Sequence, residues 1–227
     1  AVVPVVVDNT APIAVTISGL AAKVKGSVIV TSTATDTNMD RIEFKVDGGA
    51  VTTDNTSPYN YPINTTLLAN AADHTLSVTA YDKAGNPSVA TAQAFEVDNQ
   101  GPTAPTLSGT AISETQINLS WTTSTDTQSS PVTYDVYRDG SKITPTPLST
   151  TTYPAVGLIS GTSYNFLVKA IDTMGNPTDS NTLPISPKNP PKEGDVNGDN
   201  LVNSSDLAIL LSTWGSTTDL RADINKD

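Results

Sequence analysis

The residues of this sequence best suited to chemistry are oxygen-bearing side chains at alternate positions from Asp195, in the segment DVNGDNLVNSSD. With Asp195 as position 1, Asn197 stands at position 3, Asp199 at 5, the backbone carbonyl of Leu201 at 7 and Asp206 at 12. A hard cation such as Ca²⁺ takes about six to eight oxygen ligands at roughly 2.3–2.6 Å, and a tight loop with this spacing supplies them. The segment therefore predicts a calcium loop that is closed by a carboxylate on a following helix.

Two departures from the EF-hand loop affect how this segment must bind. Position 6 carries Asn200 where that loop has Gly, and Asn is the non-glycine residue best suited to a left-handed turn. Position 12 carries the shorter Asp206 in place of Glu, so the helix must begin closer to the ion. A second loop begins with side chains that match positions 1, 3 and 5, at Asp223, Asn225 and Asp227. The sequence stops there, so we expect the second half-repeat to be truncated.

An amphipathic helix is predicted after the first loop. Its apolar residues recur at spacings of three and four, at Leu207, Leu210, Leu211 and Trp214, and Gly215 is suited to end it. A single helix cannot bury this face by itself. We therefore expect it to be only partly ordered unless it packs against a neighbouring module.

An internal repeat marks the domains that precede this C-terminal segment. The tripeptide VDN at 7–9 recurs at 97–99, and DKAGNP at 82–87 recurs as DTMGNP at 172–177, both at an offset of 90 residues. A period of this size is typical of tandem β-sandwich domains of roughly 90–100 residues. The predicted fold class is therefore all-β: two tandem β-sandwiches with a short C-terminal loop-helix segment.

Apolar residues alternate with polar ones inside both repeats, which indicates half-buried antiparallel strands. In the first repeat we predict about seven strands between residues 10 and 98, with a hairpin turn at 47–49 and another turn at 84–87. In the second repeat Trp121 is the expected centre of the core. The alternating positions are Ile42, Phe44 and Val46, then Leu76, Val78 and Ala80, and later Ile117, Leu119, Tyr134, Val136, Phe166, Val168 and Ala170.

Two family resemblances follow from these segments. DNTAP at 8–12, RIEFKVDG at 41–48 and HTLSVTAYDKAGN at 74–86 together resemble bacterial Ig-like modules. LISGTSY at 158–164, with WTTSTD at 121–126 and YDVYRDG at 134–140, resembles the fibronectin type III family, although Ser160 replaces its usual Pro. The second resemblance implies that the Tyr164 hydroxyl bonds to nearby backbone.

A third resemblance concerns the C-terminal segment. GDVNGDNLVNSSDLAILL at 194–211 resembles the first half-repeat of a dockerin, which implies a cohesin-like protein partner. The resemblance assigns partner binding to Ser204, Ser205, Leu211 and Ser212. Cellulosomal members carry a basic pair where Leu211 and Ser212 stand, so a standard cellulosomal cohesin is not the expected partner.

The three resemblances give a domain assignment. Residues 1–100 are assigned to an Ig-like β-sandwich, 101–188 to a fibronectin type III-like β-sandwich, and 189–227 to a linker and truncated dockerin. Four prolines between residues 184 and 193 predict a semi-rigid extended linker.

Composition limits the possible functions. The formal net charge of −11 disfavours nucleic acid and anionic membrane surfaces as partners. There is no cysteine, which excludes thiol catalysis and cysteine zinc sites, and no run of about 20 apolar residues that would insert into a membrane. We expect an extracellular or cell-surface location, and we expect a missing upstream segment because the sequence has no initiating Met.

The remaining candidates leave two interpretations open. Tyr59, Tyr61 and Tyr153 either stack on sugars or pack over the edge of a sandwich. The domain-end aspartates Asp8, Asp82, Asp98 and Asp172 either form inter-domain calcium sites or cap turns. His74 is the only histidine, and we assign it no role because the partners of a triad or a zinc site are missing.

Three functional hypotheses remain. The first is a non-catalytic spacer with a calcium-dependent anchor, attached to a polysaccharide-degrading enzyme or an adhesive module by family analogy. The second is a structural or adhesive surface stalk whose end is stapled by calcium. The third is a carbohydrate-binding module, with polysaccharide as the partner. None of them makes this chain an enzyme.

Overall fold

The computed structural model describes residues 7–70, 73–199 and 201–213. The described residues form β-sheets, one short α-helix and one 3-10 turn, which confirms the all-β prediction. The chain divides into two compact units. The first comprises Ala1–Ala104, Ser124–Tyr134 and Lys169–Asp179, and the second comprises Pro105–Thr123, Asp135–Val168 and Ser180–Asp227.

Nine strands lie in the first part of the described chain, two more than the sequence predicted. They are β1 (Ile13–Ser18), β2 (Lys23–Val24), β3 (Ser27–Thr35), β4 (Met39–Val46), β5 (Val51–Asp54), β6 (Tyr59–Asn64), β7 (Asp73–Asp82), β8 (Pro87–Val89) and β9 (Gln93–Val97). One sheet has the order β1-β3-β6, and the other has the order β2-β9-β7-β4-β5, with β8 paired to β7. The shortest strands, β2 and β8, have two and three residues, too few to show an alternating pattern.

The alternating residues of this first pair of sheets form its core. Ile42, Phe44, Leu76, Val78 and Ala80 are each fully buried, as the alternation predicted, and Val46 is partly buried against them. Burying each of the four larger side chains, those other than Ala80, contributes roughly 1.5–3 kcal/mol to folding. All of these core residues precede residue 100, so none of them belongs to the C-terminal loop.

The second pair of sheets contains β10 (Leu107–Ala111), β11 (Ile117–Trp121), β12 (Thr133–Arg138), β13 (Ser141–Lys142), β14 (Thr152–Ala155), β15 (Tyr164–Ile171), β16 (Pro177–Asp179) and β17 (Leu183–Ile185). The strand orders are β10-β11-β14 and β13-β12-β15-β16, with β17 also paired to β15. Trp121 is 6% exposed and Phe166 is fully buried, as predicted. Tyr164 makes the expected corner, since its hydroxyl accepts the backbone N–H of Ile159 at 2.9 Å.

The first part of the proline-rich stretch at 184–193 belongs to a strand and not to a linker. Pro184 lies within β17, which pairs with β15, because a proline at a sheet edge sacrifices no ladder hydrogen bond. Lys188 is also fixed: its N–H donates to the Ser113 carbonyl at 3.0 Å, and its carbonyl accepts the Ser160 hydroxyl at 2.7 Å. The stretch before residue 189 is therefore bonded to the second unit.

The helix α1 spans Ser204–Thr213 and follows the predicted calcium loop. Asn203 precedes it and accepts the Ser205 N–H at 2.7 Å through its side chain, which satisfies a backbone donor of the first turn. Leu207 and Leu211 are 54% and 65% exposed. The predicted end at Gly215 lies outside the described residues. No helix in the described ranges is long and apolar enough to cross a membrane.

Candidate metal centres

The loop that precedes α1 folds around its own side chains. The Asp195 carboxylate accepts the backbone N–H groups of Gly198 and Asp199, at 2.8 and 3.2 Å. Asn197 accepts the same Asp199 N–H at 2.9 Å, and Asp199 accepts the N–H of Leu201 at 2.8 Å. Gly198 has a φ of +75°, which a residue without Cβ adopts without strain. The three polar side chains at positions 1, 3 and 5 therefore all hold the loop in its tight form.

Asp206 connects this loop to the helix. It lies in the first turn of α1 and is only 3% exposed. Its Oδ1 accepts the N–H groups of Val196 and Asn197 at 2.9 and 3.2 Å, and its Oδ2 accepts that of Asn203 at 2.9 Å. The N–H of Asn203 above all, and those of Asn197 and Val196, hold the pKa of Asp206 below 3.8 against the opposing effect of burial. Asp206 is therefore ionised at neutral pH.

Three carboxylates meet at this loop. One oxygen each of Asp195, Asp199 and Asp206 lies within 4.8 Å of the other two. Like charges so close repel one another, and a bound cation would replace that repulsion with attraction. Carboxylate oxygens are the hard donors that Ca²⁺ prefers. The donor set at these three predicted positions thus fits Ca²⁺, with the side chain of Asn197 and the backbone of Leu201 in the same loop.

The residues predicted to bind a protein partner all lie on α1. Ser204 and Ser205 are exposed in its first turn, and Leu211 and Ser212 are exposed near its end. The Ser212 hydroxyl donates to the Ile209 carbonyl at 2.8 Å. The other predicted ligands, and the residue at loop position 6, lie outside the described residues: Asp223, Asn225, Asp227 and Asn200.

Two further carboxylate clusters lie in the first compact unit. They consist of Asp8, Asp36 and Asp82, and of Asp98, Asp126 and Asp172. Each member of the first cluster precedes its counterpart in the second by 90 residues. The turn motifs of the sequence indicate the domain-end aspartates but not Asp36 and Asp126. Applying the 90-residue offset to every aspartate would have found both.

The aspartates of both clusters also cap turns. Asp172 accepts the Asn176 N–H at 2.7 Å, and the Asn176 side-chain amide donates to the Asp98 carbonyl at 3.1 Å. Asp82 and Asn86 repeat the first of these bonds at 2.8 Å. Such bonds explain why Asp and Asn stand at these turns without reference to a metal.

The tyrosines considered for sugar stacking are mostly packed. Tyr59 is 8% exposed, and Tyr61 stacks on Phe44 with ring centroids 5.3 Å apart. Tyr153 is half-buried, with its hydroxyl 3.4 Å from the Ile143 carbonyl. A sugar platform needs exposed ring faces, so the packing interpretation fits these residues better.

Comparisons with known families agree with the two pairs of sheets. Residues 7–78 match the bacterial Ig domain, and residues 101–186 match the fibronectin type III domain. The chain contains an Ig-like and a fibronectin type III domain. Domains of these two kinds are typically non-catalytic modules.

The relatives of these Ig-like and fibronectin domains include longer, multimodular enzymes. The chain is 29% identical over 221 residues to Exoglucanase B of Cellulomonas fimi, covering 92% of this chain and 19% of the relative. It is 44% identical over 119 residues to Chitinase A1 of Niallia circulans, covering 48% of this chain and 16% of the relative. The chain thus spans less than a fifth of each of these relatives.

One of the solved structures compared with this chain is that of the fibronectin(III)-like modules of Clostridium thermocellum CbhA. It superimposes with a TM-score of 0.48 at 18% identity and covers 78% of this chain and 95% of the other.

Proposed function

We propose that this chain is a non-catalytic spacer and calcium-dependent anchoring segment of a secreted or cell-surface multimodular protein. Its Ig-like and fibronectin domains act as the spacer, and the loop and helix after residue 194 act as the anchor. The similarity to Exoglucanase B and Chitinase A1 supports a polysaccharide-degrading enzyme as the protein that carries these modules.

The bonding of Asp206 carries this proposal. A single carboxylate is hydrogen-bonded to the start of the loop at Val196, to Asn203 before the helix, and lies within 4.8 Å of the Asp195 and Asp199 oxygens. A cation at these oxygens would therefore fix the helix relative to the loop. The ligands proposed for Ca²⁺ are Asp195, Asn197, Asp199, the Leu201 carbonyl and Asp206, with Asp223, Asn225 and Asp227 beginning a second site.

The exposed side of α1 is the proposed partner surface. Ser204 and Ser205 mark one end of it, and Leu211 and Ser212 mark the other. We propose that it binds a cohesin-like protein domain, in which apolar contact through Leu211 takes the place of charge pairing. Such an interaction would depend little on salt, because screening weakens charge pairs and not apolar contact.

A surface stalk with a calcium-stapled end is the second candidate. The backbone of Lys188 favours it. Its N–H and its carbonyl are hydrogen-bonded to Ser113 and Ser160, so contacts within the second unit fix the chain close to the start of the loop without another protein. In that case the loop would bind calcium while the helix bound no other protein.

Two measurements test the proposal in sequence. Titration calorimetry on the chelator-stripped chain should detect calcium binding, and Asp199→Ala should abolish it. Asp179→Ala is the matched control, because Asp179 is an exposed aspartate of β16 that pairs with Lys169 instead of the loop. Absence of calcium binding in this titration would contradict the proposed anchoring function.

A pull-down against cohesin-like domains of the source organism then separates the two candidates. Calcium-dependent capture, lost in Asp199→Ala, supports the anchor. Calcium binding without capture of any cohesin-like domain supports the stalk.

A further inference from the structure

His74 is a buried histidine of the Ig-like domain, and both of its ring nitrogens contact oxygen atoms. The residue is 5% exposed and lies near the start of β7. Its Nδ1 is 2.6 Å from a carboxylate oxygen of Asp47, and its Nε2 is 2.8 Å from the Ala69 carbonyl. Its ring also packs against Phe95, with centroids 5.5 Å apart.

Both neighbours of the ring nitrogens are hydrogen-bond acceptors. A neutral imidazole has one N–H and one lone pair, so it satisfies one of these acceptors and turns its lone pair toward the other. An imidazolium donates to both. An unmet bond is costly at a site with this little solvent, which favours the charged ring.

We propose that His74 is a proton-dependent latch that joins the β4–β5 turn at Asp47 to the segment at Ala69. In the protonated state the ring holds both groups. Loss of the proton breaks one of the two bonds and frees the segment that carries Ala69.

The two groups joined by the latch are each bonded further into the domain. Asp47 accepts the Thr75 N–H at 2.8 Å and donates its own N–H to the Thr75 carbonyl at 2.9 Å. On the other side, Asn70 follows Ala69 and accepts the Asn99 N–H at 2.6 Å. Release of Ala69 would therefore loosen the bond between Asn70 and Asn99, where the Ig-like domain ends.

The charged groups around the ring favour its protonated form. From the β4–β5 turn the ring faces Asp47, and on its own strand Asp73 adds a second negative charge. On β9 the residue paired with His74 is the uncharged Phe95, and the neighbouring Glu96 carboxylate is paired with Lys23 at 3.2 Å. The segment at 65–70 contains no ionisable side chain.

The pKa of His74 is displaced in the direction that the latch requires. Burial lowers it, but the bonds to the Ala69 carbonyl and the Asp47 carboxylate more than offset burial and raise the pKa above 6.5. A histidine with a raised pKa in the folded state stabilises that state fully below 6.5, and the stabilisation is lost as the pH rises through the folded-state pKa. The segment should therefore loosen as the pH rises through the folded-state pKa of His74, above 6.5.

An NMR titration of the ring in the intact chain tests the latch, and the signal needs no assignment because His74 is the only histidine. We expect a midpoint above 6.5 and protons on both ring nitrogens at lower pH. Exchange protection of the Asn99 amide should fall severalfold across that midpoint, beyond the intrinsic effect of pH on exchange. Asp47→Asn keeps an acceptor for the Thr75 N–H but removes the charge, so the midpoint should fall.

Asp139→Asn is the matched control. Asp139 occupies a similar turn, with a φ of +49° against +50° for Asp47, and it accepts the Asn165 N–H at 2.9 Å. Tyr164 precedes Asn165 in the sequence, where His74 precedes Thr75. The His74 midpoint should not change in this variant. A wild-type midpoint at or below 6.5, or a midpoint unmoved by Asp47→Asn, overturns the proposal.

Discussion

The carboxylate of Asp206 accepts the backbone N–H of Val196 at 2.9 Å, so the first turn of α1 is bonded to the second residue of the loop before it. The loop and the first turn of the helix are therefore joined by hydrogen bonds. A change at Asp206 must affect both the proposed metal site and the helix.

Replacement of Asp206 by Asn should weaken calcium binding at least tenfold, because it removes one of three clustered charges and places an amide among backbone donors. The helix signal in circular dichroism should decrease in the same variant. Asp206→Glu restores the charge and should recover much of the affinity. Unchanged affinity in Asp206→Asn, measured by calorimetry, would remove Asp206 from the ligand set.

Residues 1–188 should unfold cooperatively at a midpoint that chelator does not change, because the buried hydrophobic residues of both cores lie between Leu20 and Ala170. Differential scanning calorimetry with and without EDTA measures this. A large drop in midpoint with EDTA would contradict it and would implicate the clusters at Asp98, Asp126 and Asp172 and at their 90-residue counterparts.

Truncation of the buried phenylalanines should destabilise the domain that contains each one. Phe44 and Phe166 are both fully buried, so each change to Ala should cost about 3–5 kcal/mol in free energy of unfolding. Val156 is 62% exposed, and its change to Ala should stay within about 0.5 kcal/mol. Denaturant unfolding followed separately for the two domains is the measurement. A cost for Val156→Ala as large as that of either Phe variant would contradict the assigned cores.

The hydroxyl of Tyr164 should contribute about 1 kcal/mol through its bond to the Ile159 N–H. Tyr164→Phe removes this bond and leaves the ring in place. In the control Tyr153→Phe, the lost contact is a 3.4 Å approach to the Ile143 carbonyl, so the loss should be smaller. Equal losses in urea unfolding would argue against a special role for the corner.

Acid should weaken the loop between β5 and β6. The N–H of Asn60 above all, and that of Thr56, lower the pKa of Asp54 below 3.8. A carboxyl with a lowered pKa stabilises the fold above 3.8, and this contribution is lost as the pH falls through the folded-state pKa. Asp54→Asn should therefore reduce the acid dependence of the Ig-like domain's stability, as followed by thermal melts. An unchanged acid profile in the variant would exclude Asp54 as a contributor.

Much of the fold could be predicted because the alternation of apolar and polar residues along a strand indicates which side chains are buried. Phe44, Val78 and Phe166 are buried as their period-two pattern required. The position of Pro184 in β17 could not be predicted, because a proline-rich stretch reads as a linker unless its pairing with β15 is known.

The candidate sites also differ in whether the sequence alone could predict them. The carboxylates of Asp195, Asp199 and Asp206 meet because a short loop places them together, and loop spacing is visible in a sequence. The grouping of Asp126 with Asp98, and the contact of His74 with Asp47 across 27 residues, depend on long-range folding. The 90-residue repeat indicates Asp126 in the sequence, whereas the contact of His74 with Asp47 leaves no such pattern.

The backbone bonds of Lys188 limit how far the loop at Asp195 can lie from the end of the second unit. Seven peptide steps separate Lys188 from Asp195, and at most about 3.6 Å per step gives a leash of roughly 25 Å, shortened further by the turn between Lys192 and Asp195. Asp195 is therefore tethered within that distance of Lys188, and under the proposed function a partner bound at the calcium loop would be held close to the end of the second unit.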